Sequence, residues 1–183
     1  MYGIDILYTE HENVVRFTDF IRDLCGQMIA GKEADKELLR ECVDFMKVYA
    51  DDHHHGKEEA ILFRLMLEKL GPVAAKMINS GMMVEHNLGR YHVQSMAEAV
   101  EAMGDQATVM EKVDVITHAL GYADLLRRHA AKENSVLFPF AAKNLSPEDL
   151  EKLDQETKVY EEEAAEKGIG RYLEWLDRVW PAK

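Results

Sequence analysis

A chain of 183 residues is about one domain's worth, and 47% hydrophobic with 31% charged residues is an ordinary globular balance. Lys and Arg number 22 against 34 Asp and Glu, and the net charge of −12 repels phosphate backbones and anionic lipid, which argues against nucleic-acid and membrane partners. No apolar run approaches the ~18–20 residues of a bilayer span, the start MYGIDILYTEHEN lacks the basic-then-apolar order of a secretory leader, and two cysteines, Cys25 and Cys42, make no disulfide framework; a reducing cytoplasm is the expected location.

Taken in chain order, the pattern is helical almost throughout. Residues 4–30 place Ile4, Leu7, Val14, Phe17, Ile21, Leu24 and Met28 at spacings of three and four, and Gly31 ends the segment. A second helix is predicted from Asp35 towards Leu70, with Gly71-Pro72 as its stop. A short turn or helix follows, and Asn79-Ser80-Gly81 reads as a second break. A third helix is expected from Met82 to Met103, closed by Gly104-Asp105, and a fourth from Thr108 to Lys143, with Pro139 kinking or loosening its last turns. Ser146-Pro147-Glu148-Asp149 combines an N-cap, Pro at the first helical position and acids in the first turn, so a tail helix should occupy 147–167. Gly168-Ile169-Gly170 breaks it before a short helix, 171–180, bearing Tyr172, Trp175 and Trp180. No alternating β-branched run supports a strand. The expectation is all-α: an up-down-up-down four-helix bundle over 1–145, with a C-terminal helical extension over 146–183 packed on it or forming a subunit contact, which leaves room for a homodimer.

The chain also repeats itself. His54-His55-Gly56-Lys57-Glu58-Glu59-Ala60-Ile61-Leu62-Phe63 aligns without a gap on His129-Ala130-Ala131-Lys132-Glu133-Asn134-Ser135-Val136-Leu137-Phe138. Glu10-His11 pairs in the same way with Glu85-His86. His54 follows His11 by 43 residues and His129 follows His86 by 43, so two copies of one helical hairpin are expected. Each hairpin offers one His from its first helix and a His-x-x-x-Glu from its second. Positions i and i+4 share a helix face, so His54 points with Glu58 and His129 with Glu133. Gly71 lies 17 residues after His54 and 15 before His86. At ~1.5 Å of rise per residue the two His sit at similar heights in an antiparallel bundle. His11, His54, Glu58, His86, His129 and Glu133 should therefore converge in one layer.

Four imidazoles and two carboxylates in a core are costly without a cation, and both are good ligands for iron, manganese or zinc. Two carboxylates from related helices suit a pair of metals, each taking two His and sharing Glu58 and Glu133. Six ligands exceed what a closed structural zinc site needs. None of the 8 His has a Glu three residues before it, which excludes the Glu-x-x-His form of the ferritin-like carboxylate enzymes. No G-x-S-x-G, P-loop or G-x-G-x-x-G occurs. His55 and Glu59 also satisfy i,i+4 spacing, but Lys57, Glu58, Leu62 and Phe63 match Lys132, Glu133, Leu137 and Phe138, so the repeat selects His54 and Glu58.

The pattern H…HxxxE…H…HxxxE over residues 4–143 resembles the hemerythrin-like, or HHE cation-binding, family. The resemblance implies that His11, His54, Glu58, His86, His129 and Glu133 are metal ligands. It implies two iron ions, oxo- or hydroxo-bridged, with manganese or zinc as substitutes. It implies a protein that binds or senses dioxygen, or handles nitric oxide or peroxide; the other reading is a di-iron oxidase, peroxidase or iron-handling protein. A binding protein is expected ahead of a dedicated enzyme. Oxygen-carrying members use a fifth His, commonly four residues after the first His of the third helix, where this chain has Arg90. His55 is the candidate replacement, against its reading as a solvated or supporting side chain. It matches Ala130 in the other repeat, so as a ligand it would make the two metals inequivalent. His53 is expected to be exposed, His92 faces elsewhere, and His118 lies 11 residues from His129, ~16 Å along the axis, too far to join. Glu10 and Glu85 read either as acceptors for ligand imidazoles or as exposed polar residues, and Glu59 as a residue on or near the solvated face.

Overall fold

The computed structural model describes residues 1–104 and 106–181, and these form six helices and no strand. Helix α1 is Tyr2–Ile29. Helix α2 runs without interruption through Lys36–Asp44, Phe45–His55, Glu58–Phe63 and Arg64–Lys69. Helix α3 joins Gly71–Met77, Ile78–Met82 and Met83–Ala102; α4 joins Val109–Lys132, Glu133–Leu137 and Phe138–Asn144. Helices α5, Pro147–Glu166, and α6, Arg171–Val179, complete the chain. Asp105, half of the expected closure of the third helix, lies outside the described residues.

Local chemistry sets the starts. The Asp35 carboxylate accepts from the Leu38 amide at 3.1 Å. Thr108 and Glu111 cap α4 reciprocally, each side chain accepting from the other's amide. Ser146 accepts from the Asp149 amide ahead of Pro147. Between α2 and α3 the chain reverses at Gly71, whose φ of +66° is open to glycine at little cost.

One expected break is absent. Asn79-Ser80-Gly81 does not end a helix; it lies inside α3, which begins at Gly71. There the backbone widens into i→i+5 turns over Ile78–Met82, and buried Ile78 and Met82 pin the segment to the core. Wide turns also occupy Glu58–Phe63 and Glu133–Leu137, the same positions of the two repeats. The second of these stretches leads directly into Phe138–Asn144, where Pro139 needs no amide partner.

Helices α1 to α4 alternate in direction. Lys112 of α4 reaches Lys32 just beyond the end of α1, while Tyr8 near the start of α1 reaches Asn134 late in α4. Lys36 and Arg40 at the start of α2 meet Glu101 at the end of α3. Two apolar clusters fill the bundle. One holds Phe17, Ile21, Leu39, Phe45, Met96 and Tyr122. The other holds Leu7, Leu62, Phe63, Leu65, Leu137 and Phe138. His11, His54, Glu58, His86, His129 and Glu133 lie in sequence between the members of these clusters on all four helices, as a buried polar layer between two apolar ones.

Helix α6 docks on the first cluster. Trp175 meets Phe17, Phe20 and Phe45 with ring centroids 5.8–6.4 Å apart, and its indole N–H donates to Glu41 at 3.0 Å. Tyr172 donates to Asp44 at 2.7 Å. Helix α5 crosses α1 where Gly3 leaves room: a Cβ there would meet Thr157 Oγ1 at 2.8 Å. Truncating Trp175 to Ala removes a large buried ring, so a loss of about 3–5 kcal/mol is expected in a chemical denaturation series. A change within about 0.5 kcal/mol would mean that α6 does not contribute to the core in solution.

Candidate metal centre

The six predicted residues converge. His11, His54, Glu58 and Glu133 form one group whose nitrogen and oxygen atoms all lie within 4.8 Å of one another, and His55, Glu58, His86 and His129 form a second. Glu58 belongs to both. Glu133 reaches across as well: its Oε2 is 3.2 Å from His11 Nε2 and 3.1 Å from His129 Nε2. Glu58 Oε1 is 3.7 Å from His54 Nε2, and its Oε2 is 3.5 Å from His86 Nε2. All seven side chains are buried.

Each imidazole is held by its other nitrogen. His11 Nδ1 pairs with Asn134 Oδ1 at 2.6 Å, His54 with Glu10 Oε2 at 2.9 Å, and His55 with Asp51 Oδ1 at 3.1 Å. His86 Nδ1 pairs with Glu59 Oε1 at 2.7 Å, and His129 with Glu85 Oε2 at 3.0 Å. These acceptors place the proton on Nδ1 and turn five Nε2 lone pairs inward. There they have little to bond. His11 Nε2, His54 Nε2, His55 Nε2 and all four oxygens of Glu58 and Glu133 are buried without a hydrogen-bond partner. Orphans of this kind are rare and costly in a core, and a coordinated cation satisfies all of them together. The donor set, imidazole with carboxylate, fits a transition metal.

The electrostatics agree. Burial alone would depress the buried imidazoles, yet Glu133 and Glu58 raise His11 and His86 above the ordinary His range, and Glu133 takes His129 up to about 10. Burial likewise opposes ionisation of Glu133, but His129 and His11 hold it far below the usual carboxylate range. The cage attracts positive charge. His55 differs: burial, reinforced by the neighbouring imidazoles His86, His54 and His129 and by Arg90, holds it well below the ordinary range and neutral.

The supporting residues follow the repeat, crosswise. Glu10 and Glu85, alternatives left open by the sequence, are both acceptors for ligand-layer imidazoles, and each takes a lysine of the repeat, Lys57 or Lys132. Asn134 and Glu59 occupy matching positions, and each supports the first-helix His of the opposite hairpin. Glu59 is thus not simply on the solvated face. It is half-buried, because α3 lays His86 and Arg90 against that side of α2, and its carboxyl is lowered first by the His86 hydrogen bond.

His55 is buried and faces the cage, its ring stacked on His86 with centroids 3.9 Å apart. Adjacent residues of an α-helix face apart; His54 and His55 lie in the wide turns of Phe45–His55, which advance less per residue and let both look inward. Arg90, at the position where oxygen carriers have His, grips Asp51 with Nε at 2.9 Å and Nη2 at 2.8 Å, and Asp51 holds His55. His53, expected exposed, is only 6% exposed because α5 covers it; its Nε2–H donates to Glu10 at 2.8 Å. Glu10, His53 and Glu161 also approach one another, but the Lys57 ammonium already bridges Glu10 and Glu161 there. His92 and His118 lie outside the cage as expected, together on α3 and α4 with Nδ1 atoms 3.3 Å apart. Tyr8 donates to the Asn134 carbonyl at 3.1 Å and packs edge-on against Phe138, which stacks on His11.

A helical bundle with two such adjoining cages defines a cation-binding protein. The hemerythrin HHE cation binding domain matches residues 2–141, and the chain belongs to that family. Searches of curated proteins and of solved structures find no match. Among the described residues no helix is long and apolar enough to cross a membrane.

The raised imidazoles fix the sign of the pH response. In metal-free protein the protons on His11, His86 and His129 stabilise the fold fully below the unfolded value of ~6.5, and that stabilisation is lost as pH rises through the folded values, about 10 for His129. His55 acts oppositely, favouring the fold above that value. With metal the order reverses, since protons compete for the same Nε2 lone pairs. Thermal melts of stripped and loaded protein should therefore diverge as pH rises from 6 towards 9. Equal midpoints at every pH would mean the cage holds no cation.

Proposed function

We propose that the chain binds two iron ions in this cage and uses them to bind or sense a small ligand, dioxygen first, with nitric oxide or peroxide as relatives in size and chemistry. One observation carries the reading: five anchored Nε2 atoms face four partnerless carboxylate oxygens in a sealed layer. His11, His54, Glu133 and Glu58 would hold one ion, and His86, His129, His55 and Glu58 the other. Bound iron would supply redox-active Lewis-acid chemistry for a small ligand.

The chain's own residues provide orientation and exclusion of water. Phe138 stacks on His11 and Phe63 on His86, so an apolar ring flanks each position, a setting that suits a small uncharged ligand. The acids nearest the cage, Glu10, Glu59 and Glu85, are engaged in orienting imidazoles, which favours reversible binding over an oxidase or peroxidase that must deliver protons. Cys25 and Cys42 are buried free thiols, in keeping with a reducing cytoplasm.

Metal analysis with an optical spectrum in air tests the assignment. Iron near two per chain is expected, with charge-transfer bands that respond reversibly to dioxygen. Glu58→Ala and Glu133→Ala each remove a ligand central to the cage and should lose most of the bound metal. Glu59→Ala removes the support of His86 and one partner of Arg90 but no residue of the cage, and should weaken binding by about 10–100-fold while still loading at excess metal. Equal loading in all three variants would defeat the shared-carboxylate arrangement. Sustained consumption of peroxide would select the enzyme reading instead.

A further inference from the structure

The two hairpins carry the same supporting network in different surroundings. In the second, Lys132 pairs with Glu85, which holds His129, and Lys132 is 48% exposed. In the first, Lys57 pairs with Glu10, which holds His54, and the Lys57 side chain is 2% exposed. The difference is α5. This helix lies beyond residues 2–141, the stretch that matches the family, and it closes over the first network only.

Its contacts are specific. Glu161 pairs with the far side of the Lys57 ammonium. The Tyr160 hydroxyl donates to the Asp52 carbonyl at 3.0 Å, and its ring packs on His53 at 5.7 Å between centroids. Both hairpins are adapted to this asymmetry. Position 56 is Gly where the other repeat has Ala131, and a Cβ at Gly56 would lie 3.0 Å from the Tyr160 hydroxyl. Position 53 is a buried His that donates to Glu10, where the other repeat has the exposed Arg128, paired with Asp124. A network under cover has room for a compact donor; an open one tolerates a solvated guanidinium.

We propose that α5 is part of the metal centre: Glu161 pins Lys57, Lys57 and His53 pin Glu10, and Glu10 positions His54. Glu161 is thus a positioning residue, acting two side chains away from the ligand. A free Lys57 samples other rotamers and leaves Glu10 with one donor fewer, whereas the buried ion pair holds the carboxylate in a single orientation. Glu10 in turn sets the ring plane of His54. This inference rests on the metal reading above.

Cobalt(II) is a suitable probe, since it accepts imidazole and carboxylate ligands and reports its coordination through its visible bands. Wild-type chain, Glu161→Ala, Glu161→Gln and Glu156→Ala are titrated against a chelator. Glu156 pairs with Arg64 at 2.5 Å and ties the same helix to α2 away from the network, so its variant tests docking of α5 alone. The expected result is two cobalt ions in the wild type, one of them bound about 10-fold more weakly in Glu161→Ala with a changed visible spectrum. Glu161→Gln, which keeps an oxygen for Lys57, should recover most of that loss, and Glu156→Ala should match the wild type. Unchanged affinity and spectrum in Glu161→Ala, or an equal loss in Glu156→Ala, would overturn the proposal. A wild-type chain that binds no cobalt would overturn the metal reading itself and this inference with it.

Discussion

A layer of charge buried between two apolar layers governs this molecule. Glu58 and Glu133 are wholly inaccessible, and the imidazoles around them nearly so. Removing each such ion from water costs several kcal/mol even after relaxation. The fold tolerates the layer only if opposite charge is placed there, by protons on the histidines or by cations. Both act on the same Nε2 atoms, so the protonation state of the cage and its occupancy are one equilibrium. The remainder of the polar architecture serves to keep the five rings aimed while that equilibrium is set.

The aiming is done crosswise between the hairpins. Glu59 of the first supports His86 of the second, and Asn134 of the second supports His11 of the first. Neither hairpin can orient its own first-helix His. Glu10 and Glu85 work within their hairpins instead, each reaching from the first helix to the second. Orientation of the cage is therefore complete only when all four helices are packed.

Symmetry is broken in two places, with different consequences. On one side His55, Asp51 and Arg90 stand where the other repeat has Ala130, Leu126 and Val15. This adds a third imidazole to one cage. On the other side α5 covers Lys57 and Glu10, while their counterparts Lys132 and Glu85 stay partly in water. One position gains an inward-facing ring and the other gains a buried support. Two copies of one hairpin thus give two chemically distinct positions.

The sequence alone determined the helical class, the two-fold repeat and the six residues of the layer, because each rests on local periodicity. Apolar spacing marks helices, and a matched 43-residue offset with His-x-x-x-Glu fixes which side chains share a level. It also gave Ser146-Pro147 as the start of α5, since capping is chemistry among four neighbours. Tertiary structure decided what depends on backbone winding or on distant chain. Asn79-Ser80-Gly81 reads as a break, yet wide turns carry the helix through it. The same widening over Phe45–His55 turns His55 inward beside His54, a choice the sequence left open between a cage residue and a solvated or supporting side chain. His53 reads as an exposed residue until α5, about 100 positions later in the chain, is laid over it, and the same cover buries Lys57. A helical wheel assigns faces from neighbours a few positions away, so it cannot register a change of pitch or a cover supplied from far along the chain.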